Sequence, residues 1–537
     1  MRLHGSGPRE SPGSPRVNPM TDYYVRFLTL VGEIERTFPV TNWQVGGVPV
    51  WPLARNELYV DLYWQDHASP RNGGQAAQPQ RLSTRLGSVL SRAAIPIANI
   101  WQSRTDLRHM MLFPRAADAL FFGDEFALEC IDGVWRDRFF HPLIEELHQK
   151  GCTTLLMQRG TLQRQPRSSP VLAANTIENW GPLLATGLGL SKRLAGEFPA
   201  HEAVVKFVND YGAPTRALGP DLLRKKAASV LATAYGFEQV LRIVRPSICF
   251  MMSLGMGHAL ALACRRRGVL SVEVQRSGVG PRLLEYSWAA VPEDGYSVLP
   301  AVFWTWTEVD AEAVSNWSNS LKRPWHRGVC GGHPQLRPWL DDRNPETQRF
   351  DAKIGKLREA HPARLEILVA LQNHDGYVGL WNDLADLIER ASSEWRWWLR
   401  RHPYSPQSNK ELGRLMTIRR PNVLIDEAST LPLPALLRHM DALVSIRSGA
   451  AGEASMFGLK PIFLSPVARD VLPPLFASGG AEIIDTMTLL EERLAGLSRA
   501  TKIRASQPEL RTVLSQLDAI AAEYSNLCGI RPTRARR

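Results

Sequence analysis

The stretch ALVSIRSGAAGEASMFGLKPIFL, residues 442–464, carries the reading of the fold. Val444, Ser445 and Ile446 end an apolar strand. Ser448, Gly449 and Ala450 leave little side-chain bulk before a helix from about Gly452 through Phe457; Gly458 closes it, and Pro461 to Leu464 forms a second strand. Backbone amides at such a helix start have no partner within the helix, and the dipole favours a negative ligand there. Glu453, in the first turn, is placed to accept bonds from sugar hydroxyls. Upstream, Trp395 to Leu399 reads as a strand running into Arg400, Arg401, His402 and Pro403. In an open parallel sheet both loops meet at the carboxyl edge, where ligands of doubly wound folds bind. Arg400, His402, Pro403, Ser448 and Gly449 thus form a candidate clamp for a nucleotide phosphate, with Glu453 beside it.

Working outward, short apolar strands alternate with helices twice. The first series holds strand Ala119 to Phe122, helix Arg138 to Gln149, strand Thr153 to Gln158, helical material from Glu202 to Val244, strand Ile248 to Met252, helix Gly257 to Arg267 and strand Leu270 to Val274. The second runs from strand Glu366 to Leu371 through helix Tyr377 to Ala391, strands Trp395 to Leu399 and Val423 to Ile425, and helix Leu433 to Met440 into the opening stretch. Such alternation predicts parallel sheets with right-handed crossovers. The expected class is α/β, with two Rossmann-like domains facing a cleft and a helical N-terminal cap. The expected divisions are a disordered leader (1–22), a helical cap and linker (23–115), a first domain (116–345), a second, nucleotide-binding domain (346–505), and a C-terminal helix with a basic tail (506–537). Within these, 67–81 reads as a polar linker, 82–101 as an amphipathic helix, and 300–342 as irregular.

At 537 residues the chain exceeds what one core supports, so two large domains are expected. Six scattered cysteines without a close pair argue against a zinc ribbon, a redox motif or a disulfide framework, and suit a reducing compartment. The net charge of +11 permits attraction to anionic lipid or acidic substrates. Arginines are spread along the chain and no recognition helix, finger or stacking sheet accompanies them, so nucleic acid is not an expected partner. Residues 1–19 lack the apolar core of a secretory signal, and Ile248 to Cys264 falls short of a membrane span. Gly255, Gly257 and Glu273 mimic part of a dinucleotide fingerprint, but Leu260 occupies its third small position.

Two Rossmann-like domains with Arg400, His402 and Pro403, then Ser448 and Glu453, resemble the GT-B glycosyltransferases. They look most like the bacterial capsule and surface-polysaccharide transferases, a group that includes Kdo transferases, polysialyltransferases and CDP-glycerol polymerases. The resemblance covers Ala119 to about Leu497 and rests on an Arg-x-His-Pro motif and a later Ser loop with a helix-borne Glu. It implies that Arg400, His402 and Ser448 hold the nucleotide phosphate and that Glu453 contacts the ribose. Val272 to Gly278 is similar to a strand ending in Gln-His-Gly, but here Gln275 is followed by Arg276 and Ser277; Gln275 and Arg276 are candidates to line the cleft.

The implied activity is transfer of a sugar from a nucleotide donor to a polysaccharide or lipid-linked glycan acceptor in surface or capsular polysaccharide biosynthesis. CMP-linked donors are favoured by the resemblance. The expected location is cytoplasmic, with peripheral contact to an anionic membrane. No cofactor or metal is expected, since positive side chains and a helix dipole can stabilise the departing phosphate. A general base is sought in the first domain, where Asp124, Glu125 and His258 are the candidates. The same clamp would also suit alcohol-phosphate transfer from a CDP donor, and a non-catalytic glycan-binding scaffold of this fold is the third reading.

Overall fold

The computed structural model describes residues 19–67, 116–131, 133–159, 171–252, 254–276, 286–372, 378–402, 412–497 and 504–530. The expected linker after His67, the amphipathic helix 82–101, Pro403 and the basic tail 531–537 lie outside these residues. The helix Pro19–Thr37 begins within the expected leader, so residues 19–22 are helical.

The N-terminal cap consists of helices Pro19–Thr37 and Trp51–His67, joined through strands β1 (Gln44–Val45) and β2 (Val48–Pro49). It is fastened by a buried knot. Glu35 accepts from Trp51 Nε1 (2.8 Å) and from the amide of Ala289 (2.7 Å), and pairs with Arg55 (3.2 Å). The Arg55 guanidinium lies 3.8 Å from the Trp288 ring centroid, so its charge is met on one side by a carboxylate and on another by a π face.

The first lobe contains β3 (Ala119–Asp124), a hairpin of β4 (Leu128–Ile131) and β5 (Val134–Asp137), then β6 (Thr154–Arg159) and β7 (Val171–Ala173). β8 (Gly196–Glu197) returns to pair with β1. After it come β9 (Ile248–Met251), β10 (Leu270–Val274), β11 (Val302–Thr305) and β12 (Arg327–Cys330). The main sheet is parallel, ordered β12-β11-β10-β9-β3-β6-β7. Every residue of β9, β10 and β11 is buried, as a sheet covered on both faces requires.

Two expectations are corrected here. The segment 300–342 is not irregular: it supplies β11, the helix Glu308–Ser318 and β12, which are short and separated by turns that mask their alternation. The helix expected from Arg138 starts at His141, because Asp137 ends the hairpin and its carboxylate takes the amides of Phe139 (3.0 Å) and Phe140 (2.9 Å) at the helix entry.

The second lobe is a parallel sheet ordered β15-β14-β13-β16-β17-β18. Its strands are β13 (Leu365–Ala370), β14 (Trp395–Arg400), β15 (Val423–Leu424), β16 (Ala442–Ser445), β17 (Ile462–Phe463) and β18 (Glu482–Ile483). Trp395, Trp397 and Trp398 are all buried. The Trp398 indole donates to Glu366 Oε2 (2.8 Å), and Glu366 Oε1 accepts from Arg358 (2.9 Å) and Arg396 (3.2 Å), so this carboxylate is held by three donors inside the sheet. The last helix, Leu510–Leu527, crosses back to the first lobe, where Tyr524 meets Trp325 edge-on at 5.8 Å. The lobes therefore face one another across a cleft with the cap on the first, the GT-B arrangement.

Candidate functional site

The register of the second sheet brings the two predicted loops together. Ala370 of β13 pairs with Arg400 on one side and with Ser445 on the other. The two strand ends are thus two strand spacings apart, roughly 10 Å, at the same carboxyl edge. His402 and Ser448 follow them there, and both are half-buried.

The loop differs from expectation in its backbone. The amide of Arg447 donates to Gln372 Oε1 (2.9 Å), that of Ser448 to Ser445 Oγ (3.3 Å), and that of Ala450 to Ser448 Oγ (3.3 Å). The amides of Ala451 and Gly452 are taken by the carbonyls of Ser448 and Gly449. Gly449 is the N-cap of a helix, Ala450–Met456, of seven residues. The short helix and its satisfied amides leave little of the amide cradle that the sequence suggested; serine and glutamine side chains already fill it. An anion placed here would meet cationic side chains rather than free backbone amides.

Those cations come from both lobes. Arg138, just past the β4–β5 hairpin, acts electrostatically on Glu453, Arg400 and His402 of the second lobe. Burial pushes the Glu453 carboxyl up to about 7, with Arg138 and Arg400 opposing the rise and Glu129 adding to it. Burial lowers Arg400 to about 10, which leaves it charged near neutrality. His402 is lowered, first by burial and then by Arg138. Glu129, on β4, is raised by burial; Arg138 pulls it down, Glu346 raises it and Arg400 lowers it. Among the described residues, Glu453 Oε2 and Arg138 Nε have no hydrogen-bond partner although both are buried atoms. Arg400 is positioned by two backbone carbonyls, those of Ala428 and Leu431, at 2.6 Å each.

The short helix Ala450–Met456, which carries Glu453, also borders a cavity of about 620 Å³. Gly452, Ser455 and Met456 lie on the bordering face of the helix, at helical spacing. The opposite wall of the cavity is first-lobe sequence, with Trp306 and Asp310 prominent, and residues 505–508 close it. A ring stack reaches this wall: Phe139 lies over His333 (6.1 Å, 20°), and His333 over Trp306 (4.0 Å, 28°). Burial raises Asp310 to about 6. Its position is that of a capping box: its amide donates to Thr307 Oγ1 (3.2 Å), while its carboxylate accepts from Gln275 Nε2 (3.3 Å).

The remaining sequence candidates sit as follows. Asp124 accepts from the amide of Phe126 (3.3 Å) and pairs with Arg159 (3.3 Å), so it caps the turn after β3, and Glu125 opens that turn. His258 is 7% exposed and lies away from the charged compartment. Its Nδ1 meets the Val298 carbonyl (3.0 Å) and its Nε2 meets Asn56 of the cap (3.2 Å), so both nitrogens serve packing of the cap and burial holds the ring neutral. Gln275 is buried: its Oε1 accepts from the Trp306 amide (2.6 Å) and its backbone carbonyl from the Trp306 indole (2.9 Å), and it touches the cavity from within that knot. Arg276 is exposed, with its guanidinium 5.2 Å from the Phe126 ring centroid. Glu273, the acidic end of the partial dinucleotide fingerprint, is buried within β10. Sequence reasoning missed Glu129, Arg138 and Trp306. The dense run Arg136, Asp137, Arg138, between the first strand and the helix that follows it, was the available signal.

No protein-family profile matches this chain, and no curated protein matches it in sequence. Among solved structures, the chain is similar to the UDP-GlcNAc 2-epimerase of Methanocaldococcus jannaschii in complex with UDP-GlcNAc and UDP, at 10% identity over 75% of this chain and 98% of that one, with a TM-score of 0.44. It is similar to the Neisseria meningitidis UDP-GlcNAc 2-epimerase bound to UDP-GlcNAc (13% identity, 77% and 94%, TM-score 0.40). A third is the wall teichoic acid polymerase TagF (9% identity, 82% and 94%, TM-score 0.38). These are resemblances of outline, and the fold assignment stands on this chain's own two parallel sheets.

Proposed function

We propose that the protein is a nucleotide-sugar-dependent glycosyltransferase of surface-polysaccharide biosynthesis, acting on a polysaccharide or lipid-linked glycan at the cytoplasmic side of the membrane. The observation that carries this reading is that the charge of Arg138, from one lobe, acts on Arg400, His402 and Glu453 of the other, beside a cavity lined by both lobes. A donor phosphate would lie among the cations, and the free Oε2 of Glu453 would take a ribose hydroxyl. The adjoining cavity of about 620 Å³ is of the size that holds a small-molecule ligand. CMP-linked donors remain the choice that the family resemblance favours.

Glu129 replaces Asp124, Glu125 and His258 as the proposed base, because Asp124 caps a turn and His258 packs against the cap, Glu125 lies in that same turn, and Glu129 feels the charges of Arg138 and Arg400 that would hold the donor phosphate. In the transfer, Glu129 takes the proton of the acceptor hydroxyl, whose oxygen bonds the anomeric carbon as the sugar–phosphate bond breaks. The electron pair stays on the nucleotide, where Arg138, Arg400 and His402 meet its charge.

Calorimetric titration with CMP, CDP, UDP and GDP tests the reading. Arg138→Ala should weaken the nucleotide that binds by roughly 10- to 100-fold, the loss of one charge-assisted hydrogen bond of about 1.5–3 kcal/mol. Absence of nucleotide binding by the intact protein, or equal affinity in the variant, overturns it. Product analysis with the bound donor then separates sugar transfer from isomerisation of the donor and from binding without turnover.

A further inference from the structure

Of the nine large hydrophobic residues that stand exposed among the described residues, four fall within one nine-residue span: Trp180 (37%), Leu183 (43%), Leu184 (49%) and Leu188 (55%). They belong to the helix Asn175–Gly187 and its C-cap. The spacing puts them on one side of the helix. The other side is committed: Gly181 packs so tightly on Thr233 that a Cβ there would come within 2.1 Å of its Oγ1, and Ala185 is buried. The outward side is therefore apolar with nothing from the described chain upon it. A grouping of this kind marks an interaction surface rather than scattered exposure.

Charge selects the occupant. From Asn179 through Gly196 the chain carries no acidic residue, and its two charges, Lys192 and Arg193, are exposed in the short helix Leu190–Arg193 that follows directly. An outward tryptophan with leucines, ending in exposed cations and free of carboxylates, is the pattern of an element that lies in the interface of an anionic bilayer. No described helix is long and apolar enough to cross a membrane, so such contact would be peripheral.

Position adds a third observation. The helix follows β7, the edge strand of the first sheet, and Glu178 in its first turn pairs with Arg159 (2.6 Å), which in turn reaches Asp124 at the carboxyl end of β3. The apolar side thus begins two residues from an ion-pair cluster at the carboxyl ends of β3 and β6. We infer that Trp180, Leu183, Leu184 and Leu188, with Lys192 and Arg193, dock the first lobe on an anionic lipid surface. This deepens the proposed function by supplying the place where a lipid-linked acceptor would enter, and it is read independently of the donor site.

Co-sedimentation of the full chain with vesicles of phosphatidylcholine alone, or with phosphatidylglycerol added, tests the inference. The protein should pellet with the anionic vesicles only, and less so as salt rises. The double variant Leu183→Glu/Leu184→Glu should lower the vesicle partition coefficient by about tenfold or more, as should Lys192→Glu/Arg193→Glu. Nucleotide affinity, measured on the same preparations, should stay at the parent value in both, which verifies the fold. The inference falls if the parent protein ignores anionic vesicles or if the leucine variant pellets as the parent does. It also falls if sedimentation velocity shows a dimer that the leucine variant dissolves without any vesicle binding, since the face would then belong to a second copy. Vesicle binding without nucleotide binding would sink the donor reading and leave the docking surface standing.

Discussion

Glu453 gives the sharpest physical test of the charged compartment. Its carboxyl is raised from 4.5 to about 7 by burial, despite Arg138 and Arg400. Between those two values the folded protein keeps the proton while the unfolded chain has lost it, so stability falls as pH rises through that window. At 1.36 kcal/mol per pH unit, the penalty grows to about 3 kcal/mol and is complete above pH 7. Glu453→Gln removes the ionisation but keeps the shape. The variant should match the parent near pH 5 and exceed it by about 3 kcal/mol near pH 8, or roughly 6–12 °C for a cooperative unit of lobe size. Asp137 and Asp310 are also raised, to about 7 and about 6, so both proteins lose stability with rising pH. Only the difference between the two melting curves isolates Glu453. Thermal unfolding followed by tryptophan fluorescence at the two pH values reads it directly. A gap that is the same at pH 5 and pH 8 would refute the claim that this carboxyl is desolvated at an interlobe site.

Further outcomes follow from the packing and from the two proposals. Arg138→Ala should cost the donor nucleotide roughly 10- to 100-fold in affinity by calorimetry, and Leu183→Glu/Leu184→Glu should release the protein from anionic vesicles. Glu366→Ala strips the shared acceptor from Arg396, which is 1% exposed, and from the Trp398 indole. Removing the carboxylate that faces this buried cation should destabilise the second lobe by about 3–5 kcal/mol in denaturant titration. Gly331→Ala would place a Cβ 1.9 Å from Trp304 Cε2, inside a sheet that cannot yield, so the variant should express poorly or melt early in a thermal scan.

How far the sequence could be read depended on how local the cause was. β10 ends where the sequence reading puts it, and β13, β14 and β16 lie within a residue, because each is a short apolar run closed by turn residues. β11 and β12 are hard to read from sequence, since Phe303 and Trp304 are flanked by prolines, glycines and further tryptophans that blur the period. The hairpin β4–β5 is harder to read for a different reason: its two strands are four residues each, and Glu129, Arg136 and Asp137 interrupt the apolar positions around the Asp132-Gly133 turn pair. Missing it loses Arg138 and Glu129, and with them half of the charged compartment. Asp124 and His258 show the reverse case: acidic and imidazole groups near strand ends attract a catalytic reading from sequence, while the structure gives them Arg159 and the Val298 carbonyl as partners.

The sequence by itself determined the α/β alternation, the division into two lobes, the placing of Arg400, His402 and Ser448 at or just past strand ends and that of Glu453 in the helix that follows, because strand burial and helix entry are encoded by neighbours a few residues apart. Only the tertiary structure decided that serine and glutamine side chains fill the amide loop, that the charge of Arg138 in the first lobe acts on Glu453 in the second, and that the leucines after Trp180 stay outside. Each of these depends on groups tens to hundreds of residues apart being brought into one low-dielectric space, where partnership rather than residue type sets charge, exposure and reactivity.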